Sequence, residues 1–214
     1  MNKSPYKANL FVISAPSGAG KTSLVRALVN KLKEIKVSIS YTTRPMRYGD
    51  KEGVDYFFID ENRFEAMVKA DAFLEYAAVY GYHYGTAKDW VIKQLKTGKD
   101  ILLEIDWQGA QQIHCLFPPA LLIFILPPSA SILKERLMKR HQDEKAVITQ
   151  RIALAREEMT HYSEFNYIVV NHDFNQALKN LVHIISAARL QLEIQEEKLA
   201  NLLEELLKKR YITS

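Results

Sequence analysis

The chain has 214 residues, of which 48% are hydrophobic and 25% charged, and it carries a formal net charge of +4. This length suits one core, or a core with mobile subdomains, and the composition is typical of a globular protein. The single cysteine excludes an internal disulfide framework, and neither a signal peptide nor a membrane span is visible in the sequence. We therefore expect a cytoplasmic protein with an anionic small-molecule substrate, no membrane contact and no nucleic acid partner.

The first predicted element is a strand over residues 10–14, which leads directly into the sequence S-A-P-S-G-A-G-K-T. This sequence approaches the phosphate-loop pattern G-x-x-x-x-G-K-[ST], with Ala15 at the first glycine, a substitution that requires Ala15 to avoid a positive φ. The apolar spacing after the loop predicts a helix, whose positive end would face the phosphates. The predicted triphosphate-binding residues are Ser14, Ala15, Pro16, Ser17, Gly18, Ala19, Gly20, Lys21 and Thr22.

Residues 37–90 are rich in Tyr, Thr, Arg and Gly, and their short alternating segments predict a small β-containing insert in the core. Within it, T-T-R-P-M-R places Arg44 and Arg47 on either side of Pro45, which holds Arg44 extended. Two guanidinium groups in this arrangement can both bind one phosphate. Taken alone, an exposed basic loop is the commoner outcome for such a sequence.

Glu75 lies in F-L-E-Y, shortly before the tyrosine-rich sequence Y-G-Y-H-Y-G-T. A carboxylate accepts hydrogen bonds from N1–H and N2–H₂ of guanine, groups that adenine does not present, and a hydroxyl from Ser40 or Thr86 could serve O6. The tyrosines offer hydroxyl groups for a phosphate. A tyrosine-rich hairpin with a solvated glutamate is the alternative for this segment taken alone.

Further apolar runs at residues 101–105, 121–126 and 167–170 alternate with helical patterns. Such strands predict a parallel sheet covered on both faces, and so a three-layer α/β core. Alternation along the first of these strands places Glu104 and Asp106 on one face. Beside a phosphate loop, these carboxylates and the hydroxyl of Thr22 are placed to hold Mg²⁺, partly through water.

Residues 129–163 are charged and helical and predict a mobile lid. Arg136 and Arg140 are four residues apart and share one helical face, and Arg151 follows later in the segment. Three guanidinium groups on a movable element can offset the repulsion between two anionic nucleotides and stabilise charge on a transferring phosphoryl group. A solvated helix surface is the usual place for each of these arginines taken singly.

Across nearly its whole length the chain resembles guanylate kinases of the bacterial type. The resemblance rests on the phosphate loop, T-T-R-P-x-R, F-L-E-Y, Y-G-T, L-E-I-D-W-Q-G and the arginine-rich lid. It implies a P-loop kinase fold and Mg²⁺-dependent transfer of the γ-phosphoryl group of ATP to GMP, with dGMP as a further acceptor, in purine nucleotide metabolism.

The same resemblance implies a role for each site residue. The implied GMP-binding residues are Ser40, Arg44, Arg47, Tyr56, Glu75, Tyr84, Thr86, Glu104 and Asp106. The implied catalytic residues are Lys21, Arg44, Arg136, Arg140 and Arg151. Asn171 is expected near adenine, Glu104 near guanine, and Asp106 with Thr22 at the metal.

Two other functions remain alternatives. A kinase for another phosphorylated acceptor, such as a ribose bisphosphate, would have no use for a guanine reader built from Glu75 and Ser40. A phosphopeptide-binding module on the same scaffold typically lacks the loop lysine and the lid arginines, whereas this chain has Lys21, Arg136 and Arg151.

The predicted guanylate kinase-like domain covers residues 5–190. It divides into a core (5–36, 91–128 and 164–190), the insert (37–90) and the lid (129–163), and a helical extension follows at 191–214. Apolar residues at three- and four-residue steps from Leu178 to Leu206 predict a seam of about four heptads, with Gln195 as its one polar position. A long helix packed on its own core explains the part before Leu192, and the leucines beyond it predict a homo-oligomer formed through this helix.

Overall fold

The computed structural model describes residues 8–140 and 145–208. Its strands are β1 (Leu10–Ser14), β2 (Ile35–Val37), β3 (Tyr41–Thr42), β4 (Phe57–Phe58), β5 (Phe73–Val79), β6 (Tyr82–Ala87), β7 (Asp100–Glu104), β8 (Leu121–Leu126) and β9 (Tyr167–Val170). Its helices are α1 (Lys21–Lys31), α2 (Glu61–Lys69), α3 (Lys88–Lys96), α4 (Trp107–Leu116), α5 (Ala130–Arg140), α6 (Lys145–Thr160), α7 (Phe174–Arg189), α8 (Leu192–Lys198) and α9 (Ala200–Leu207), with a 3₁₀ turn at His161–Glu164.

The main sheet has five parallel strands in the order β2-β7-β1-β8-β9. Three predicted strands, 10–14, 121–126 and 167–170, match β1, β8 and β9, while the strand predicted at 101–105 lies one residue earlier, at 100–104. The chain leaves β1 through α1 to β2, on the β7 side of the sheet, whereas α4 joins β7 to β8 on the other side of β1. The carboxyl ends of these strands therefore form the crevice in which such sheets bind ligands.

Alternate residues of these strands pack on opposite faces, which confirms the predicted three-layer α/β core. On one face Phe11 and Ile13 join the apolar sides of α1 and α7. On the other, Leu10 and Val12 join α3 and α4. Coverage is incomplete at the edge strand β9, where Val170 is 47% exposed. Because both faces of the main sheet are closely packed, the phosphate loop and the carboxyl end of β7 are fixed relative to each other.

The predicted insert contains a second sheet of four short strands in the order β4-β3-β6-β5. Phe64 of α2 and Phe73 of β5 pack together with ring centroids 4.7 Å apart, and they give the insert its own apolar cluster. The N-terminus of α2 is capped by Asp60, whose side chain accepts a hydrogen bond from the N–H of Arg63. The insert therefore has its own sheet, helix and packing, adjacent to the core.

The C-terminal segment is three helices, so the prediction of one continuous seam is wrong. α7 ends at Arg189, and the side chain of Gln195, predicted as a seam residue, donates a 2.7 Å hydrogen bond to the Arg189 carbonyl. Ile194 of α8 is buried beside Leu10 and Phe117 of the core. The seam fails because this contact turns the chain back onto the core. In the described part of the chain, no helix combines the length and apolar character needed to span a bilayer.

Candidate active site

The predicted phosphate loop lies at the carboxyl end of β1 and leads into α1. Gly18 and Gly20 have φ of 86° and 94°, a left-handed conformation that glycine adopts without steric cost. Ala15 is not among the described residues with positive φ, so the condition on this position is met. Lys21 begins α1, and its Nζ donates a 2.9 Å hydrogen bond to the Ile105 carbonyl, just beyond β7. The lysine is therefore held beside the loop.

A cavity of about 220 Å³ joins the loop to the insert. The predicted residues that line it are Ala15, Pro16, Ser17, Gly18, Gly20, Lys21, Thr22, Ser40, Tyr56, Glu75, Tyr84, Glu104 and Asp106. The predicted residues with described side chains that do not line it are Ser14, Ala19, Arg44, Arg47, Thr86, Arg136, Arg151 and Asn171. Residues of the predicted ATP site and of the predicted GMP site thus line one cavity, and the second group of residues lies outside its lining.

Glu75 lies at an irregularity of β5, where the register shifts between Phe73 and Glu75 and sets Glu75 opposite Thr86 of β6. Thr86 Oγ1 donates a short hydrogen bond to Glu75 Oε1, and both residues are buried. The other oxygen, Oε2, lies so close to Gly109 that a Cβ at that position would overlap it. Burial raises the pKa of Glu75 to about 7 against the hydrogen bond from Thr86, and the charge of Asp106 adds to the rise. This buried carboxyl group lines the cavity and can accept further hydrogen bonds there.

Arg44 is only 7% exposed and lies between a carboxylate and two aromatic rings. Its Nη2 donates a 2.9 Å hydrogen bond to Asp50 Oδ2, which also accepts one from the backbone N–H of Arg47 at 2.8 Å. Its Cζ lies 5.4 Å from the ring centroid of Tyr56 and 5.6 Å from that of Phe58. Although burial opposes it, the hydrogen bonds from Arg47 and Arg44 lower the pKa of Asp50. Asp50 therefore fixes one predicted phosphate-binding arginine and the backbone of the other.

Tyr56 and Tyr84 line the cavity, and their rings meet edge to face with centroids 5.7 Å apart. Burial raises the pKa of Tyr56 to about 12, and the charge of Glu104 acts in the same direction. The Tyr56 hydroxyl group is therefore protonated at neutral pH and is able to donate a hydrogen bond to a phosphate oxygen.

The two carboxylates at the end of β7 make different contacts. β7 ends at Glu104, whose Oε1 accepts a 2.6 Å hydrogen bond from Thr22 Oγ1 of the loop. Asp106 lies beyond the strand and caps α4, because its Oδ1 accepts a 3.0 Å hydrogen bond from the N–H of Gly109. The charge of Asp106 acts on Glu75. Strand alternation does not extend past Glu104, and the expected roles of Glu104 near guanine and of Asp106 at the metal stay predictions.

The oxygen donors around Thr22 fit a hard cation that is bound mainly by phosphate and water. Among residues 8–140 and 145–208, no group of three or more His, Cys, Asp or Glu side chains is arranged to hold a metal ion by itself. The hydroxyl of Thr22 and the carboxylate of Glu104 are nevertheless adjacent, and Mg²⁺ commonly takes one or two protein oxygens and completes its shell with phosphate and water. The metal roles of Thr22 and Asp106 stay predictions.

Asn171, expected near adenine, forms a hydrogen bond to the backbone of the phosphate loop. Its Nδ2 donates a 2.7 Å hydrogen bond to the Ala19 carbonyl, and the side chain is buried. Arg136 of α5 donates to the same carbonyl at 3.3 Å and to the Asn171 carbonyl at 3.4 Å. The lid helix and the end of β9 therefore hold the loop together, and an adenine contact by Asn171 stays a prediction.

Sequence reasoning misses Glu158 of the cavity, and it also misses the contact of Glu158 with Tyr80 of the tyrosine-rich segment. The Tyr80 hydroxyl donates a 2.9 Å hydrogen bond to Glu158 Oε1, and the backbone N–H of Ser17 donates one to Oε2 at 3.1 Å. Nothing in the sequence distinguishes Glu158 from the neighbouring exposed Glu157. Arg151, on the same helix, is near enough for its charge to act on the Tyr80 hydroxyl. The Arg140 side chain lies outside the described residues.

A parallel three-layer core, a phosphate loop after its central strand and an acceptor insert that shares the loop's cavity define a P-loop kinase. A family model described as guanylate kinase matches residues 7–188, and the chain belongs to the guanylate kinase family. It is 71% identical over 204 residues to a guanylate kinase of Coxiella burnetii, covering 95% of this chain and 99% of the relative. It is 52% identical over 204 residues to one from Legionella pneumophila, with coverage of 95% and 98%.

A solved structure supports the same relationship. The crystal structure of guanylate kinase from Anaplasma phagocytophilum matches with a TM-score of 0.79 at 28% identity. The match covers 96% of this chain and 98% of that chain. The likeness therefore extends over the core and the insert together.

Proposed function

We propose that this chain transfers the γ-phosphoryl group of ATP to GMP, giving ADP and GDP. The observation that carries the proposal is the buried Glu75, bonded to Thr86 and lining the same cavity as the phosphate loop. The loop by itself indicates only a nucleoside triphosphate. A carboxylate that accepts two N–H groups selects guanine over adenine as the acceptor base. Membership of the guanylate kinase family supports the same reaction.

The test is a coupled ADP-release assay with GMP, dGMP, AMP, UMP and CMP as acceptors. We expect rapid turnover with GMP, slower turnover with dGMP and little with the other three. Rapid turnover with AMP and none with GMP would contradict the proposal. Turnover with a sugar phosphate alone would favour the other kinase, and binding of a phosphopeptide without turnover would favour the recognition module.

On the donor side, the loop N–H groups and Lys21 bind the β- and γ-phosphates. An acceptor phosphate oxygen of GMP attacks the γ-phosphorus in line, so no side chain is needed as a nucleophile. Positioning and charge neutralisation carry most such reactions. Lys21 is an ammonium group on a flexible stem, which allows it to follow the moving phosphoryl group.

On the acceptor side, the phosphate of GMP is bound by Arg44, Arg47, Tyr56 and Tyr84. Asp50 holds the two arginines at adjacent positions before the ligand arrives. The base is read by Glu75, with the hydroxyl groups of Ser40 and Thr86 completing its hydrogen bonds. Asp106 lies near Glu75 and contributes to the base side of the site.

The lid arginines Arg136, Arg140 and Arg151 neutralise the phosphates of ATP when the lid closes. Closure of the lid and the insert over both nucleotides excludes water, because an open site would hydrolyse ATP. Arg136 already lies against the phosphate loop, at the Ala19 carbonyl.

The proposed reaction requires Mg²⁺, which binds together with ATP. When bound, it would neutralise negative charge on the phosphates of ATP. The residues that would hold it are Thr22 and Asp106, as the sequence predicts, with Glu104 added because it bonds Thr22 directly.

The proposal also covers the domain boundaries, the oligomeric state and the location of the chain. Residues 5–190 act as the catalytic domain, divided into core, insert and lid, and residues 191–214 are an extension. The exposed leucines of α9, Leu202, Leu206 and Leu207, join copies of the chain in a homo-oligomer. The free cysteine Cys115 is consistent with a cytoplasmic location.

A further inference from the structure

The carboxylate of Glu158 connects three parts of the molecule. Glu158 lies on α6 of the predicted lid. Its Oε2 accepts a 3.1 Å hydrogen bond from the backbone N–H of Ser17 in the phosphate loop, and its Oε1 accepts a 2.9 Å hydrogen bond from the hydroxyl of Tyr80 in the insert. We call this arrangement of Ser17, Glu158 and Tyr80 the Glu158 clasp.

The carboxylate lies where the loop would bind an anionic ligand. N–H groups of phosphate loops are arranged to bind phosphate oxygens, and here the N–H of Ser17 binds a carboxylate oxygen. Glu158 is half-buried and lines the cavity. Burial raises its pKa, against the hydrogen bonds from Tyr80 and Ser17 and the charge of Lys21. A negative group of the protein thus occupies part of the phosphate site.

Tyr80 makes its contact from an uncommon backbone conformation. Tyr80 and Gly81 form the two-residue turn between β5 and β6, with φ of 52° and 81°. Glycine adopts such angles freely, but in tyrosine they are uncommon and persist where the surroundings hold them. The hydrogen bond from Tyr80 to Glu158 is one contact that holds the turn.

We propose that Glu158 competes with the γ-phosphate of ATP for the N–H of Ser17, and that ATP displaces it. The N–H of Ser17 faces the insert, because Ser17 and Tyr80 of the insert both bond the carboxylate of Glu158. The proposed function places the acceptor in the insert, and the inference rests on that proposal. The phosphoryl group that moves to the acceptor must lie on that side of the loop. Displacement of Glu158 also breaks its bond to Tyr80, so ATP releases the insert from the lid helix.

The test is titration calorimetry of the full chain with ATP and, separately, with ADP, in the absence of GMP. In Glu158→Gln we expect ATP to bind about 3- to 10-fold more tightly, because the neutral amide does not repel a phosphate. ADP lacks the γ-phosphate, so its affinity should change by less than about twofold. Tyr80→Phe removes one of the two bonds that hold the carboxylate, and it should tighten ATP binding by about twofold.

The matched control is Glu157→Gln, which neutralises the adjacent exposed carboxylate and should change neither affinity. Weaker ATP binding by Glu158→Gln, or equal tightening of ATP and ADP, would overturn the proposal. If that variant does not fold, Tyr80→Phe decides the matter, since an unchanged ATP affinity would then refute the competition. A chain that binds ATP without phosphorylating GMP would contradict the proposed function and leave this measurement valid.

Discussion

Thr86 Oγ1 and Glu75 Oε1 form a buried hydrogen bond between two antiparallel strands of the insert. The pairing depends on the register shift in β5, which sets the two residues opposite each other. Because the carboxyl group is buried and its pKa is raised to about 7, its charged form is costly until a ligand completes its hydrogen bonds. A charged Glu75 therefore lowers the stability of the unliganded chain, which fits its proposed role in binding the base of GMP.

Glu75→Gln is expected to weaken GMP binding by about 10- to 100-fold. The carboxylate accepts hydrogen bonds from N1–H and N2–H₂ of guanine, whereas the glutamine amide is uncharged and places an NH₂ group against these donors. ATP affinity should change by less than about twofold, since the loop is unaltered. Calorimetry with each nucleotide measures both. Glu65→Gln, at an exposed position of α2, is the matched control. Equal losses for GMP and ATP would show that Glu75 does not read the base.

The same substitution should stabilise the unliganded chain at alkaline pH. The folded pKa of Glu75 is raised from its ordinary value of 4.5 to about 7, so the folded state retains a proton that the unfolded state has released. The stability linked to this group is fully present below the unfolded value and is lost as the pH rises through the folded value. At alkaline pH the buried charge costs up to about 3 kcal/mol, which glutamine avoids.

Thermal unfolding at about pH 5 and about pH 8 checks this linkage. The melting temperature of Glu75→Gln should exceed that of the parent chain at the higher pH, and the difference should shrink at the lower pH. A difference that is constant across this range would mean that Glu75 titrates near its ordinary value.

Asp50→Asn is expected to raise the KM for GMP by about 10-fold, with a smaller fall in kcat, because Arg44 loses the acceptor that orients it. The KM for ATP should be unchanged. Steady-state kinetics with each nucleotide varied in turn separate the two effects. Asp89→Asn, at an exposed position of α3, is the control. An unchanged KM for GMP would show that Arg44 keeps its position without Asp50.

The proposed oligomer is tested on α9, because α8 packs on the core through Ile194. The double substitution of Leu202→Glu and Leu206→Glu should reduce the mass measured by light scattering to that of one protomer, with little change in melting temperature. A chain ending at Leu190 would also remove Ile194 and should lose stability. If the double variant keeps the parent's number of protomers, α9 does not form the oligomer interface.

The sequence by itself determined the fold class, three of the four predicted core strands to the residue, and the phosphate loop. These features are local, because strand patterning and the loop motif depend on residues close together in the chain. For Glu75 the sequence left two interpretations open, a carboxylate that binds guanine and a solvated glutamate in a tyrosine-rich hairpin. The structure contradicts the solvated position, because Glu75 is buried, and the role in binding guanine stays a prediction. The burial and raised pKa of Glu75 depend on strand register and on Gly109, which approaches from a distant segment.

Only the tertiary structure decided the surroundings of the loop. The position at which β7 ends determines that Glu104 bonds Thr22 and that Asp106 caps α4. Packing of α6 across the cavity brings Glu158 to Ser17, 141 residues earlier in the chain. The phosphate loop is thus readable from nine consecutive residues, whereas the carboxylate that occupies part of it depends on long-range packing that leaves no local pattern.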